Sequence, residues 1–216
     1  MRTGGLIAAL ACLAFSTPDA NALTAIDTTG KTATEIIQIS EAAGAFAPAE
    51  PSTSAELAFR HELTGVVCRV PVGSRMWLYV GEHDRRGDSS SCFYTDDFRN
   101  MGIVMFREAL GNTLDEQIKV AGDICLRHMP APTIIADNLW AAVTAEAPQV
   151  TSIRYRGEIV GEGPFFCAVS VAEIDGWTFI YSYLARVYSE EEAARWDQDA
   201  LQRWRATLRE LNEARD

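Results

Sequence analysis

Three histidines, His61, His83 and His128, bound the acid–base and metal chemistry open to this chain. His61-Glu62 at a strand end and Glu82-His83-Asp84 at a loop mouth, together with Asp88, Asp96 and Asp97, could gather a divalent ion. No helical His-Glu-x-x-His spacing sets a ligand geometry, so no metal and no cofactor are expected. His128 sits where a helix would end, and a cation there offsets the macrodipole. Ser89-Ser90-Ser91 lies near His83 and Asp84 in sequence, which allows a hydrolase centred on residues 83–91. A Gly-x-Ser-x-Gly elbow is absent, and its nearest relative, Val72-Gly73-Ser74-Arg75, reads as a tight turn. Phosphate-cradling glycine patterns are absent too. The stretch His83, Asp84, Arg85, Arg86 and Asp88 is therefore expected to be a charged, solvated loop that binds and does not catalyse. Its Arg86-Gly87-Asp88 adhesion tripeptide is too short to carry weight. No catalytic residue is assigned, and the chain is expected not to be an enzyme.

Five cysteines raise a different chemistry. Arg2, an apolar run over residues 6–15, the break at Ser16-Thr17-Pro18-Asp19 and the small-x-small triplet Ala20-Asn21-Ala22 form a secretory signal with cleavage after Ala22. Ten apolar residues are too few to span a bilayer, which takes about 20. A lipoprotein acylated at Cys12 is the rival, but Ala9-Leu10-Ala11 has the wrong order for a lipobox. Cleavage removes Cys12 and leaves Cys68, Cys92, Cys125 and Cys167. Four cysteines delivered to an oxidising compartment read as two disulfides. Three connectivities are open; nearest-neighbour pairing, Cys68–Cys92 and Cys125–Cys167, is favoured because it places each bridge between adjacent elements, and Cys125 and Cys167 as buried small hydrophobes are the alternative. No Cys-x-x-Cys supports redox or zinc chemistry.

The chain has 216 residues, 19 Lys+Arg and 30 Asp+Glu, for a net charge of −11. That balance repels nucleic acid and anionic membranes and suits a cationic partner. Three segments follow: residues 1–22 as signal peptide, 23–55 as an N-terminal arm ending in a Pro/Ala/Ser linker, and 56–216 as one domain. Within the arm, residues 33–46 hold a possible short helix. Strands are predicted over 57–61, 65–70, 76–82 and 102–107, with a polar loop over 83–92. Thr113 and Glu116 form a capping box opening a middle helix. Strands over 150–160, 165–174 and 177–187 make a meander, with Asp175-Gly176 as its hairpin turn. Ser189 and Glu192 cap a terminal helix with Ala193, Ala200, Trp204, Leu208 and Leu211 on one stripe and Glu191/Arg195 and Asp199/Arg203 as outer pairs. On the 150–160 strand, alternation puts Ile153, Tyr155 and Ile159 inside and Arg154, Arg156 and Glu158 outside. Trp177, Phe179, Tyr181 and Tyr183 alternate along one strand with Tyr188 beyond it and Tyr155 a strand away. These are core beneath a helix or, if open, an aromatic groove for a peptide, glycan or lipid.

The expected fold is α+β: an antiparallel sheet with a C-terminal three-strand meander, covered by two amphipathic helices and stapled by two disulfides. An export signal, an early strand at Phe59, a helix after Gly111-Asn112-Thr113, a meander and a terminal helix from Ser189 resemble the PsbP/DcrB-type α/β sandwich. The resemblance covers about residues 57–212 and implies a non-enzymatic accessory protein of the envelope or thylakoid lumen, with no site residues to transfer. The expected function is an exported, disulfide-stabilised binding protein of the bacterial envelope, periplasmic or secreted. Its partner would be a protein or envelope component, with no nucleic acid and no transmembrane segment in the mature chain. An acidic inhibitor or immunity-type protein for a cationic enzyme is the alternative.

Overall fold

A computed structural model describes residues 24–51, 53–82, 86–107, 113–127, 129, 131–135, 140 and 150–213. The leader, His83, Asp84, Arg85 and His128 lie outside them. Eight strands form one antiparallel sheet. In spatial order these are β1 (Ile26–Asp27), β5 (Arg75–Glu82), β6 (Arg86–Thr95), β7 (Arg99–Phe106), β11 (Trp177–Arg186), β10 (Gly163–Ile174), β9 (Val150–Ile159) and β8 (Thr133–Ile134). A second sheet holds β2 (Phe46–Pro48), β3 (Glu56–His61) and β4 (Val67–Pro71). The described helices are α1 (Ala33–Ile39), α2 (Leu114–Leu126) and α3 (Glu190–Glu213).

The α+β class, the antiparallel pairing and both disulfides agree with expectation, but the covering of one sheet by two helices does not. Three helices are present among the described residues, and a three-stranded sheet shares the covering work. Thr32 caps α1 by accepting from the Glu35 amide, while Glu35 reaches back to the Thr32 amide. This box was readable in Thr32-Ala33-Thr34-Glu35. It opens a helix whose Ile36 and Ile37 are buried in the main core. The 47–54 stretch is likewise only partly linker. Phe46–Pro48 pairs with β3 as an edge strand, where proline costs no ladder bond.

The central strands lack an inside/outside alternation because both sheet faces are covered. β10 and β11 therefore read as near-continuous apolar runs. Their register separates the two faces. Cys167 opposes both Leu184 and Tyr155, and this face packs under Ile118, Ala121 and Cys125 of α2. Ala168 opposes Tyr183 and Arg154, and this face meets α3, α1 and the small sheet. Asp175 and Gly176 have φ of 53° and 74°, the left-handed pair that a two-residue hairpin between Ile174 and Trp177 requires.

One covering element on each face is bonded covalently to the large sheet. Cys68 of β4 joins Cys92 of β6, and Cys125 of α2 joins Cys167 of β10. The helix caps follow the sequence. The Glu116 amide donates to Thr113 Oγ1 at 3.2 Å, and the Glu192 amide donates to Ser189 Oγ at 3.1 Å. Asp199 and Arg203 pair as expected, but Arg195 turns to Glu192 at 3.6 Å rather than to Glu191.

Candidate functional site

The expected loop over 83–92 is, from Arg86 onward, a strand. Ser89, Ser90 and Ser91 pair with Gly81, Val80 and Tyr79 on one side and with Phe106, Met105 and Val104 on the other. All three serines are buried, and Ser90 Oγ donates to Gly87 O at 3.2 Å. Asp88 is buried as well, and it accepts from Arg107 Nε at 2.8 Å. Arg107 in turn lies 4.7 Å over the Trp177 ring. The adhesion tripeptide thus cannot present its aspartate.

The histidine that reaches this strand is His61, from the small sheet. It is fully buried, with Nε2 3.1 Å from Gly87 O and Nδ1 2.9 Å from Thr64 Oγ1. A carbonyl only accepts, so Nε2 carries the proton and Nδ1 accepts from the Thr64 hydroxyl. The rings of Phe46 and Trp177 stand 5.2 and 5.6 Å from the imidazole. Burial pushes its pKa down to about 4, against smaller opposing pulls from the Gly87 carbonyl and Asp88. His61 is therefore a neutral bridge between the sheets, walled off from solvent.

A pH dependence follows from that bridge. The unfolded chain protonates His61 near pH 6.5 and the folded chain near pH 4. Its contribution to stability is full above pH 6.5, falls as pH drops through that window and is gone below pH 4, a loss of about 3 kcal/mol. Urea midpoints measured from pH 7 to pH 4 should fall in this range and flatten in His61→Phe. An identical slope in both proteins would remove His61 from the account.

The aromatic strand is core. Trp177, Phe179, Tyr181 and Tyr183 are all buried beneath α3 and the small sheet. Tyr181 stacks on Trp204 with ring centroids 5.2 Å apart and donates to Ala200 O at 3.1 Å. Tyr183 donates to Asp199 Oδ2 at 2.8 Å, and burial, then Asp199, pushes its hydroxyl pKa up, so it remains a neutral donor. Tyr155 does not belong to this group. Its register opposite Cys167 places it on the other face, under α2. The shared open groove is thus overturned by one residue of register.

Arg154, expected outside, is buried and ion-paired with Asp197 of α3. Trp140 Nε1 donates to the second Asp197 oxygen at 2.7 Å. Asp197 occupies the apolar stripe between Ala193 and Ala200, and Arg154 lies beneath that stripe. An aspartate at a stripe position and an arginine in the strand below were the only signals of this pair. A second ionic cluster closes the other side of α3, where Asp199 Oδ2 also accepts from Arg99 Nη1 and Arg203 Nε, both at 3.0 Å. These groups satisfy one another inside the fold, so they serve packing rather than chemistry on a ligand. Among the described residues, no group of three or more His, Cys, Asp or Glu side chains could hold a metal ion. No helix among them is long and apolar enough to cross a membrane.

A concave surface opens at a different place, where the β9–β10 hairpin, β8 and the first turn of α3 meet. The groove has a volume of about 1050 Å³. Its lining includes Arg156, Glu158 and Val160 of β9 and its turn, with Tyr188, Ser189 and Glu190 at the start of α3. Val160 is 85% exposed and Tyr188 66%, so the lining is wide open. Arg156 is ion-paired with Glu190 across it. Of these side chains sequence reading connected only Tyr188 with a candidate site, as the aromatic beyond the Trp177–Tyr183 row. Glycine and proline around Val160 marked only a turn, and the nearness of Tyr188 is a product of tertiary folding. Comparison with family models, curated proteins and solved structures returns no match to this chain.

Proposed function

We propose that this chain is an exported, disulfide-braced accessory protein of the bacterial envelope that works by binding and not by catalysis. The observation that carries this reading is the use of its cysteines. Each of the two bridges fastens a covering layer to the large sheet, an arrangement that persists in an oxidising compartment. The leader over residues 1–22 supplies the route there. The open groove at the β9–β10 end supplies a surface on which to bind. An acidic inhibitor of a cationic enzyme is the second reading, supported by the net charge of −11 and by carboxylates around that groove.

Expression of the full chain in an exporting bacterium tests the proposal. The periplasmic fraction should hold a polypeptide beginning at Leu23 whose intact mass falls about four hydrogens short of the fully reduced value. A full-length cytosolic protein with every thiol open to alkylation without reductant overturns it.

A further inference from the structure

The groove at the β9–β10 end is also a sheet edge. β8 pairs with β9 only at Tyr155 and Arg156. The bond from the Ile135 amide to Arg154 O shows which backbone groups of β9 face that side. Alternation along an antiparallel strand then turns the N–H and C=O of Arg156 and Glu158 the same way. Among the described residues, no strand pairs with β9 on this side beyond Arg156. Glu158 thus offers an unladdered donor and acceptor directly to the groove.

Charge and apolar surface complete the description. At the opening Arg156 pairs with Glu190, and beside it Arg186 pairs with Glu162. Among the described residues, the groove lining holds two carboxylates, Glu158 and Glu190, against the guanidinium of Arg156, so the exposed carboxylate of Glu158 stands in excess. Two large apolar side chains, Val160 and Tyr188, flank the same opening with most of their surface in water. Exposed apolar side chains beside an open strand edge and an acidic rim are what an extended peptide of opposite charge requires.

We infer that the groove takes an extended, lysine- or arginine-bearing segment of a partner protein. That segment adds as a strand beside Glu158 and lays an apolar side chain between Val160 and Tyr188. This assignment rests on the binding reading above and names the partner's chemistry. Main-chain bonds to Glu158 hold the segment, its cations meet the carboxylates of Glu158 and Glu190, and the alternate side chain fills the apolar gap.

The test uses fluorescence anisotropy with the mature, oxidised protein and three labelled heptapeptide amides. The first alternates lysine with valine and phenylalanine, the second replaces lysine by glutamate, and the third N-methylates the central backbone of the first. The lysine peptide should bind, more weakly as salt rises from low to physiological. The glutamate and N-methylated peptides should lose at least about tenfold in affinity, as should the Glu158→Lys and Tyr188→Ala variants with the lysine peptide. Equal binding of all three peptides, binding indifferent to both variants, or no binding overturns the inference. The broader reading is separated by a photocrosslinking amino acid placed at Tyr188 in exporting cells. Adducts there with no lysine-peptide binding refute the cationic segment and leave an envelope-binding protein standing. Absence of adducts at Tyr188 alongside absence of peptide binding removes the groove from function altogether.

Discussion

The Cys125→Ala/Cys167→Ala variant should unfold about 4 kcal/mol more readily than the parent in chemical denaturation. The bridge closes a loop of sequence separation 42, and the chain-entropy model converts that closure into a stabilisation of this size. Its location adds to the argument. α2 is one short helix laid on β9 and β10 by Ile118, Ala121 and Cys125, and its exposed side carries Val120 and Leu126. Without the covalent tie, that small apolar patch alone must hold the layer. The Cys68–Cys92 bridge closes a separation of 24, so the Cys68→Ala/Cys92→Ala variant should lose slightly less, about 3.5 kcal/mol. An unchanged midpoint in either variant would show that the bridge constrains nothing in the unfolded chain.

The second large effect belongs to Asp197→Ala. Arg154 is buried, its guanidinium meets Asp197, and Trp140 donates to the other carboxylate oxygen. Removing the carboxylate leaves a buried cation and an indole N–H without this acceptor, which costs about 3–5 kcal/mol. Asp197→Asn keeps an acceptor for Trp140 and should lie between. The double variant Arg154→Met/Asp197→Leu removes both charges and fills the space with apolar volume, so it should return to within about 1–2 kcal/mol of the parent. A thermal or urea double-mutant cycle gives the coupling directly. Loss of only a few tenths of a kcal/mol in Asp197→Ala would mean that the pair opens to water rather than sitting sealed under α3.

These two effects mark the boundary between what was legible in the amino-acid order and what was not. Two disulfides were legible from four cysteines in the chain after the leader, and the favoured nearest-neighbour pairing, one of three open connectivities, is the one present. The Asp175-Gly176 turn, the Thr113 and Ser189 caps and the stripe on α3 were legible because each is a local rule with a local signature. Asp197 was not, since its burial depends on Arg154, forty-three residues away, arriving beneath the same stripe. Tyr155 failed for a related reason. Alternation shows that a strand has two sides but not which side joins a neighbour's, and here register sent it under α2.

The polar stretch after His83 misled for a different reason. Arg86-Gly87-Asp88-Ser89-Ser90-Ser91 has the composition of a loop, and nothing local reports that β5 and β7 flank it. Its serines are tolerated in a strand because neighbours on both sides complete the ladder. His61 is the counterpart. An isolated histidine in a β-rich segment carries no sign that Gly87 will supply its acceptor. The groove was illegible in the same way, because Glu158, Val160 and Tyr188 come together only after β9 and α3 have docked.

The two sulfur bridges neither nest nor cross, since the pair at 68 and 92 is complete before residue 125 begins the next. A polypeptide threaded outward from its N-terminus therefore meets its cysteines in the order in which they must be joined. If the chain is exported as proposed and Cys12 leaves with the leader, an oxidant acting on each newly emerged thiol would reach the native connectivity without a reshuffling enzyme.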